Sequence, residues 1–138
     1  MPTPLSPFLL LFRNSIPDAY KSMSPEQHQH VLMKWNDWYD RLIAEGKLQY
    51  GHPLEPDGRI VEHSRGDRVV DGPFAETKEA IGGYFFILAT NLAEATEVAR
   101  GCPGLAHGMV VEVRAIADCC HLGRVGAGRD NRSVASVT

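Results

Sequence analysis

One long amphipathic segment, residues 25–45, constrains the fold of this chain more than any other feature. It starts at Ser24-Pro25-Glu26-Gln27, where the serine can cap a helix, the proline suits the first position and the glutamine completes a capping box. Gly46 gives a natural stop. One helical face carries His28, Val31, Leu32, Trp35, Trp38, Tyr39, Leu42 and Ile43. Because a large aromatic side chain buries ~150–250 Å², we predict that this helix anchors on a sheet.

The rest of the chain predicts the strands of that sheet. A continuous apolar run over residues 5–13 is typical of a buried strand. Further strands are predicted at 47–54, 59–63, 67–70, 84–89 and 109–116, and a loop is predicted at 15–23. Asn91 is predicted to cap a second helix, which ends at Pro103-Gly104. This order predicts an α+β, ferredoxin-like fold with an extra β-hairpin before a polar central segment.

The predicted order leaves one face of the sheet without helices. Two helices cover one side, and no element of the sequence is available for the other. An uncovered sheet face that carries apolar side chains usually finds a partner, so we predict a homodimer through this face.

Charge and composition argue against several classes of partner. The formal net charge is −3, whereas a nucleic-acid binder or a protein of anionic membrane surfaces would carry a basic patch. The apolar run Phe8–Phe12 is too short for a signal-peptide core or a membrane span. We therefore predict neither a nucleic-acid partner nor a membrane partner.

The cysteines favour a reducing compartment, and cytoplasmic localisation is expected. There are three, an odd number, without CxxC spacing. Cys119-Cys120-His121 lacks the second Cys or His pair that a tetrahedral zinc site needs. No phosphate-binding or dinucleotide-binding glycine motif is present. We expect no metal and no cofactor.

Residues 118–138 differ in kind from residues 1–117. Gly, Arg, Ser and Asp replace the apolar periodicity there, and the sequence predicts neither strand nor helix. We expect one α+β domain over residues 1–117, followed by a tail over residues 118–138.

The central segment Val70–Tyr84 contains Asp-Gly-Pro-Phe and strongly resembles the hallmark of the YCII-related, DGPF-type proteins. Similar residues also recur at Trp35, Trp38, Gly46-Lys47-Leu48, Gly101-Cys102-Pro103 and Val111-Glu112-Val113-Arg114. The resemblance implies a dimeric ferredoxin-like α+β barrel. Most such proteins have no established reaction, and some relatives resemble dehalogenating or lactone-processing enzymes.

The resemblance also implies candidate acid–base residues. A His–Asp pair has been proposed for a simpler branch of the family, but that histidine falls on Trp35 here, and an indole cannot exchange protons as imidazole does. We therefore consider Asp71 as the catalytic acid or base, assisted by His28, two turns before Trp35, or by His52. The alternative for Asp71 is a structural one, because an Asp before Gly-Pro can brace a turn.

Further residues are candidates for a substrate-binding wall or pocket. His52 lies between a glycine and a proline at a strand end, and we predict that it lies beside the aromatic helix and lines a cleft. Trp35 and Trp38 would form an apolar wall, although core packing is the stronger interpretation. Glu76, Lys78 and Glu79 would ring a polar pocket, with solvated surface charge as the alternative, and Phe74 is a further substrate-binding candidate.

Two functions remain open from the sequence. The first is a small-molecule enzyme or binder that performs acid–base chemistry, such as isomerisation or elimination, on a cyclic, oxygenated substrate. The second is a non-catalytic dimeric interaction module, linked to transcriptional control, because some family members occur beside sigma-factor-like proteins.

Overall fold

The structure, a computed structural model, describes residues 3–72 and 80–121. The described strands are β1 (Ser6–Arg13), β2 (Leu48–Pro53), β3 (Gly58–Glu62), β4 (Arg68–Gly72), β5 (Ile81–Ala89) and β6 (Val110–Ala115). The helices are α1 (Asp18–Lys21), α2 (Pro25–Ala44) and α3 (Leu92–Arg100), and a 3₁₀ turn follows at Pro103–His107. This mixture of helices and strands agrees with the predicted α+β class.

Four of these strands form one antiparallel sheet in the order β2-β5-β1-β6. The central pair is β1 and β5, which match from Ser6↔Ala89 to Phe12↔Gly83 before a bulge. The other two strands, β3 and β4, form a separate hairpin. This hairpin is the predicted insertion, and it is called the arm below.

The main core lies between the sheet and the helices. Alternate residues of β1 and β5 point into it, and Leu10 and Ile87 are fully buried. From the helices, Trp38, Leu42 and Ala95 complete the cluster. The sheet therefore has a helix-covered face and a second face, which we call the open face.

The start of α2 follows the predicted capping box. The Ser24 hydroxyl accepts from the Gln27 backbone N–H at 3.2 Å, and the Gln27 side chain accepts from the Ser24 N–H at 2.8 Å. These two bonds satisfy backbone donors that a helix start leaves without partners. They fix where the longest helix of the described chain begins.

The stripe predicted on α2 is only partly buried. Trp38 and Leu42 are buried and Trp35 packs against the core, but Leu32, Tyr39 and Ile43 remain exposed. Only part of the apolar face of α2 is therefore in contact with the sheet. Three exposed apolar side chains at spacings of seven and four residues therefore remain on its surface.

The predicted loop 15–23 contains a helical turn. Pro17 is fully buried and precedes α1, whose Asp18 and Lys21 form an ion pair at 3.1 Å. The expectation of a loop was wrong for these four residues, because a proline and an acidic residue suit a helix start as well as a turn.

Two further observations bear on sequence-based expectations. None of the helices in residues 3–72 and 80–121 combines the length and the apolar character that crossing a membrane requires. The predicted tail falls, from residue 122 onward, outside the described residues.

Candidate functional site

Two rows of side chains cross the open face. Strand pairing aligns His52, Tyr84, Leu11 and Glu112 in the first row. It aligns Tyr50, Phe86, Leu9 and Arg114 in the second. Each row spans all four strands, so His52 and Glu112 are separated by about 14 Å at the usual strand spacing. The face thus has an apolar centre and polar side chains at both edges.

A hydrogen bond joins the two polar side chains at the β2 edge. His52 Nδ1 lies 2.8 Å from the Tyr84 hydroxyl oxygen. Either group can donate, depending on the histidine tautomer. Both residues carry exchangeable protons, so the pair can pass a proton from one group to the other.

An aromatic pair borders this histidine and tyrosine. The rings of Tyr50 and Phe86 are stacked, with centroids 4.9 Å apart and an interplanar angle of 22°. Tyr50 also meets the rings of His52 and Tyr84 at 6.3 and 6.4 Å. Phe86 is buried, whereas Tyr50 is 45% exposed, so one aromatic ring is available to a flat ligand beside the polar pair.

A charged cluster lies at the β6 edge. Arg13 Nε is 3.7 Å from Glu112 Oε1, and Arg114 approaches the other oxygen of Glu112 at 3.4 Å. Arg13 Nε is buried without a hydrogen bond in the described chain. Leaving such a donor without a partner is costly, and the position would suit an acceptor from outside the chain.

Asp71 lies on the arm and pairs across it. Its carboxylate accepts from Arg59 Nη1 at 2.5 Å, and its side chain is 89% exposed. The described chain contains no bond from this carboxylate to a turn backbone, and no described residue encloses it in a pocket. Asp71 stays a proposed site residue, and it needs a covering surface before it can work in a water-poor site.

The other sequence candidates fall into three groups. His28 is exposed on α2, with Nε2 2.6 Å from the Tyr20 carbonyl oxygen. Trp35 and Trp38 meet at 5.5 Å on the helix side of the sheet, so His52 lies on the face opposite to them. Phe74, Glu76, Lys78 and Glu79 lie outside the described residues. The structure does not bring the histidines and tryptophans into one cleft.

Tyr84 is the candidate that sequence reasoning missed. It ends the Val70–Tyr84 hallmark segment, but the sequence alone predicts only a strand there. A signal was available, because residues alternate across a strand and Tyr84 is separated by one position from both Gly82 and Phe86. Polar and aromatic residues on an otherwise apolar strand mark a face that is not simple core.

A second polar cluster lies near α1 and the 3₁₀ turn. Burial raises the pKa of the Cys102 thiol to about 11, which keeps it protonated at neutral pH. Burial also raises the pKa of Tyr20, an effect that the nearby Trp35 indole partly offsets. The Tyr20 hydroxyl oxygen is buried without a hydrogen bond of normal geometry in the described chain. Neither group is prepared to act as a nucleophile.

The architecture and the open face define a class: a small α+β domain with helices on one side of an antiparallel sheet and polar and aromatic side chains on the other. The YCII-related domain model matches residues 8–118. The chain therefore belongs to the YCII-related family, as its Asp-Gly-Pro-Phe segment predicted.

A relative in Rhizobium meliloti (strain 1021), described as uncharacterised, is 35% identical over 80 residues. The match covers 56% of this chain and 64% of the relative, so the chain spans less than two thirds of that protein's length.

Proposed function

We propose that this YCII-related protein is a homodimeric small-molecule enzyme or binder whose acid–base site lies on the open face. The observation that carries the proposal is the 2.8 Å hydrogen bond between His52 Nδ1 and the Tyr84 hydroxyl, beside the ring of Tyr50. A histidine is the side chain best suited to exchange protons near neutral pH. A tyrosine that is hydrogen-bonded to the histidine can exchange a proton with the substrate at a second position.

The chemistry follows from the two ends of this pair. When the tyrosine donates to Nδ1, the imidazole Nε2 carries a proton and can act as an acid. When Nδ1 donates to the tyrosine oxygen, Nε2 is free to accept a proton, and the phenol O–H is free to donate one. A proton removed from one carbon of a ring and returned at another is an isomerisation, so the pair suits a cyclic, oxygenated substrate that stacks on Tyr50.

The strand order supports a ferredoxin-like, dimeric α+β barrel. In the sheet β2-β5-β1-β6, the two outer strands each follow a helix, which is the arrangement expected of a split β-α-β fold. Half-buried Leu9 and Leu11 form the apolar centre of the open face. A second copy packed on this centre would remove both residues from water and enclose the His52–Tyr84 pair. The free cysteines agree with a cytoplasmic setting.

Asp71 is proposed as a further acid–base group, and His28 as its assistant. Because Asp71 is held by Arg59 on the exposed arm, it can reach a substrate only if a covering surface brings the two together. The segment that follows it, with Phe74, Glu76 and Lys78, belongs to the same proposed binding region. Trp35 and Trp38 retain a proposed role in binding from the opposite side of the sheet.

A thermal-shift screen with cyclic, oxygenated metabolites tests the proposal. Wild-type protein is expected to be stabilised by at least one compound class. The His52→Gln and Tyr84→Phe variants should lose that shift without a change in fold, because each removes one partner of the proton-exchanging pair. His63→Gln is the matched control, since His63 lies at the tip of the arm and pairs with Asp67.

The same compounds separate the roles of Asp71. Asn can occupy the position of an Asp and accept a hydrogen bond, but it cannot take up a proton as a carboxylate does. Asp71→Asn is expected to fold normally, to keep part of the thermal shift, and to lose the chemical conversion of whichever compound the wild-type protein converts. Full turnover in this variant would remove Asp71 from the mechanism. Equal shifts in wild type, His52→Gln and Tyr84→Phe would contradict the open-face site itself.

A second function, an interaction module, rests on exposed apolar side chains outside the sheet. Val61 and Val69 face each other across the arm and are 63% and 54% exposed. Together with Leu32, Tyr39 and Ile43 on α2 they form surfaces that a protein partner would cover. This function, including a link to transcriptional control, gains support if co-purification yields one stoichiometric partner and the metabolite screen gives no shift.

A further inference from the structure

A groove of 270 Å³ lies between α2 and α3, on the helix side of the sheet. Its apolar floor is made by Trp38, Leu42 and Val98, all of which are buried. Its volume falls near the lower end of known ligand pockets, which start at about 300 Å³. The groove is separate from the open face, because the sheet lies between them.

The groove contains a hydrogen-bond donor without a partner. Trp38 Nε1 makes no hydrogen bond with another described residue, and unlike Arg13 Nε and the Tyr20 hydroxyl it is not completely shielded from solvent, although the residue as a whole is 2% exposed. Gly101 also lines the groove, and a Cβ at that position would lie 2.9 Å from Nε1. The φ of Gly101 is −81°, which any residue can adopt. Glycine is therefore not required by the backbone there, and its missing side chain leaves the indole N–H open to the groove.

The charged side chains of the groove divide into those with partners and one without. Each rim glutamate already has a neighbouring partner: Glu45 forms an ion pair with Lys47 at 3.6 Å, Glu94 accepts from the Thr90 hydroxyl at 2.5 Å, and Glu97 forms an ion pair with Arg100 at 3.1 Å. The Arg41 guanidinium, by contrast, makes no ion pair or side-chain hydrogen bond with any described residue. Arg41 and the Trp38 indole N–H are therefore the two donors that face the groove without a partner among the described residues.

We propose that this groove binds a small monocarboxylate with an apolar body. The carboxylate accepts from Trp38 Nε1 and from Arg41, whose planar guanidinium matches its two oxygens. The apolar body packs on Leu42 and Val98. The three rim glutamates disfavour any further negative charge on the ligand.

The indole N–H signals of the two tryptophans report directly on binding in this groove. In a ¹H–¹⁵N spectrum of the full chain the tryptophans yield two indole signals, which Trp35→Phe assigns. Addition of acetate, isovalerate and benzoate at millimolar concentration is expected to move the Trp38 signal downfield in a saturable way, because its N–H gains a charged acceptor. Benzamide, the uncharged match of benzoate, should bind about tenfold more weakly. The Trp35 signal should stay in place.

Variants locate the binding. Arg41→Gln and Gly101→Ala should each weaken carboxylate binding about tenfold, the first by removing a charge and the second by covering the indole N–H. Lys34→Gln is the matched control, since Lys34 is an exposed cation on α2 that does not line the groove. His52→Gln should also bind normally, which separates this site from the open face.

Three results would overturn the assignment. The first is no saturable movement of the Trp38 signal with any of the three carboxylates. The second is benzamide, or the cation benzylamine, binding as tightly as benzoate. The third is undiminished binding in both Arg41→Gln and Gly101→Ala, which would place the ligand elsewhere.

Discussion

At the scale of single residues, Trp38 links more parts of the core than any other aromatic side chain on α2. It stacks on Phe85 at 5.2 Å and meets Phe12 and Trp35 edge-on at 6.3 and 5.5 Å. Trp38→Ala is expected to lower the free energy of unfolding by about 3–5 kcal/mol, because removing the indole leaves a cavity where the sheet meets α2 and α3. Trp35→Ala should cost less, since Trp35 is only half-buried. Urea denaturation of both variants checks the order, and equal losses would contradict it.

Cys102 gives a pH dependence at the same scale. Burial raises the pKa of its thiol from 9.0 to about 11. Between these values the folded state holds a proton that the unfolded state has released, so the free energy of unfolding falls as the pH rises through this window. The raised pKa of Tyr20 acts in the same direction, above its ordinary value of 10.0. In Cys102→Ala the fall between pH 9 and about 11 should be shallower, measured against a Cys120→Ala control. An identical slope in all three proteins would remove Cys102 as the cause.

At the scale of elements, local signals predicted most of the boundaries. The caps of α2 and α3 form as expected, with the Asn91 side chain accepting from the Glu94 N–H at 2.8 Å. The sequence could not predict which face of the sheet carries His52, because a bulge in β2 turns the His52 side chain from the core face to the open face. Leu48 points into the core, and in a regular strand His52 would point the same way. The irregularity between Leu48 and Tyr50 moves Tyr50 and His52 to the open face. Such a bulge is set by pairing with β5, which no local pattern records.

The capping box of α2 supplies the prediction at this scale. Ser24→Ala removes the acceptor of the Gln27 N–H and should lower the free energy of unfolding by about 1 kcal/mol. Ser64→Ala, in the turn of the arm, is the control and should be nearly silent. Thermal or urea unfolding measures both, and a Ser24→Ala variant as stable as the wild type would show that packing alone fixes the helix start.

At the scale of the whole molecule, the sheet has unlike faces, and the account depends on what covers the open one. The helix side has a continuous core of buried residues. The open side combines half-buried leucines with the His52–Tyr84 pair and the Arg13–Glu112 pair. The alternation of strands and helices was predictable from the sequence, whereas the two rows across this face depend on the register between strands. A second copy would enclose both pairs and bury the leucines between them.

Light scattering of the full chain tests this central claim most directly, through Leu11→Glu. Leu11 lies in the row between Tyr84 and Glu112, so a charge there should separate two copies without entering the main core. Leu92→Glu on α3, which is exposed on the helix side, is the control. The account expects the wild type and the control at twice the chain mass of 15.2 kDa, and Leu11→Glu near 15.2 kDa with unchanged helical content. A wild-type mass near 15.2 kDa, or a dimer that Leu11→Glu leaves intact, would contradict it.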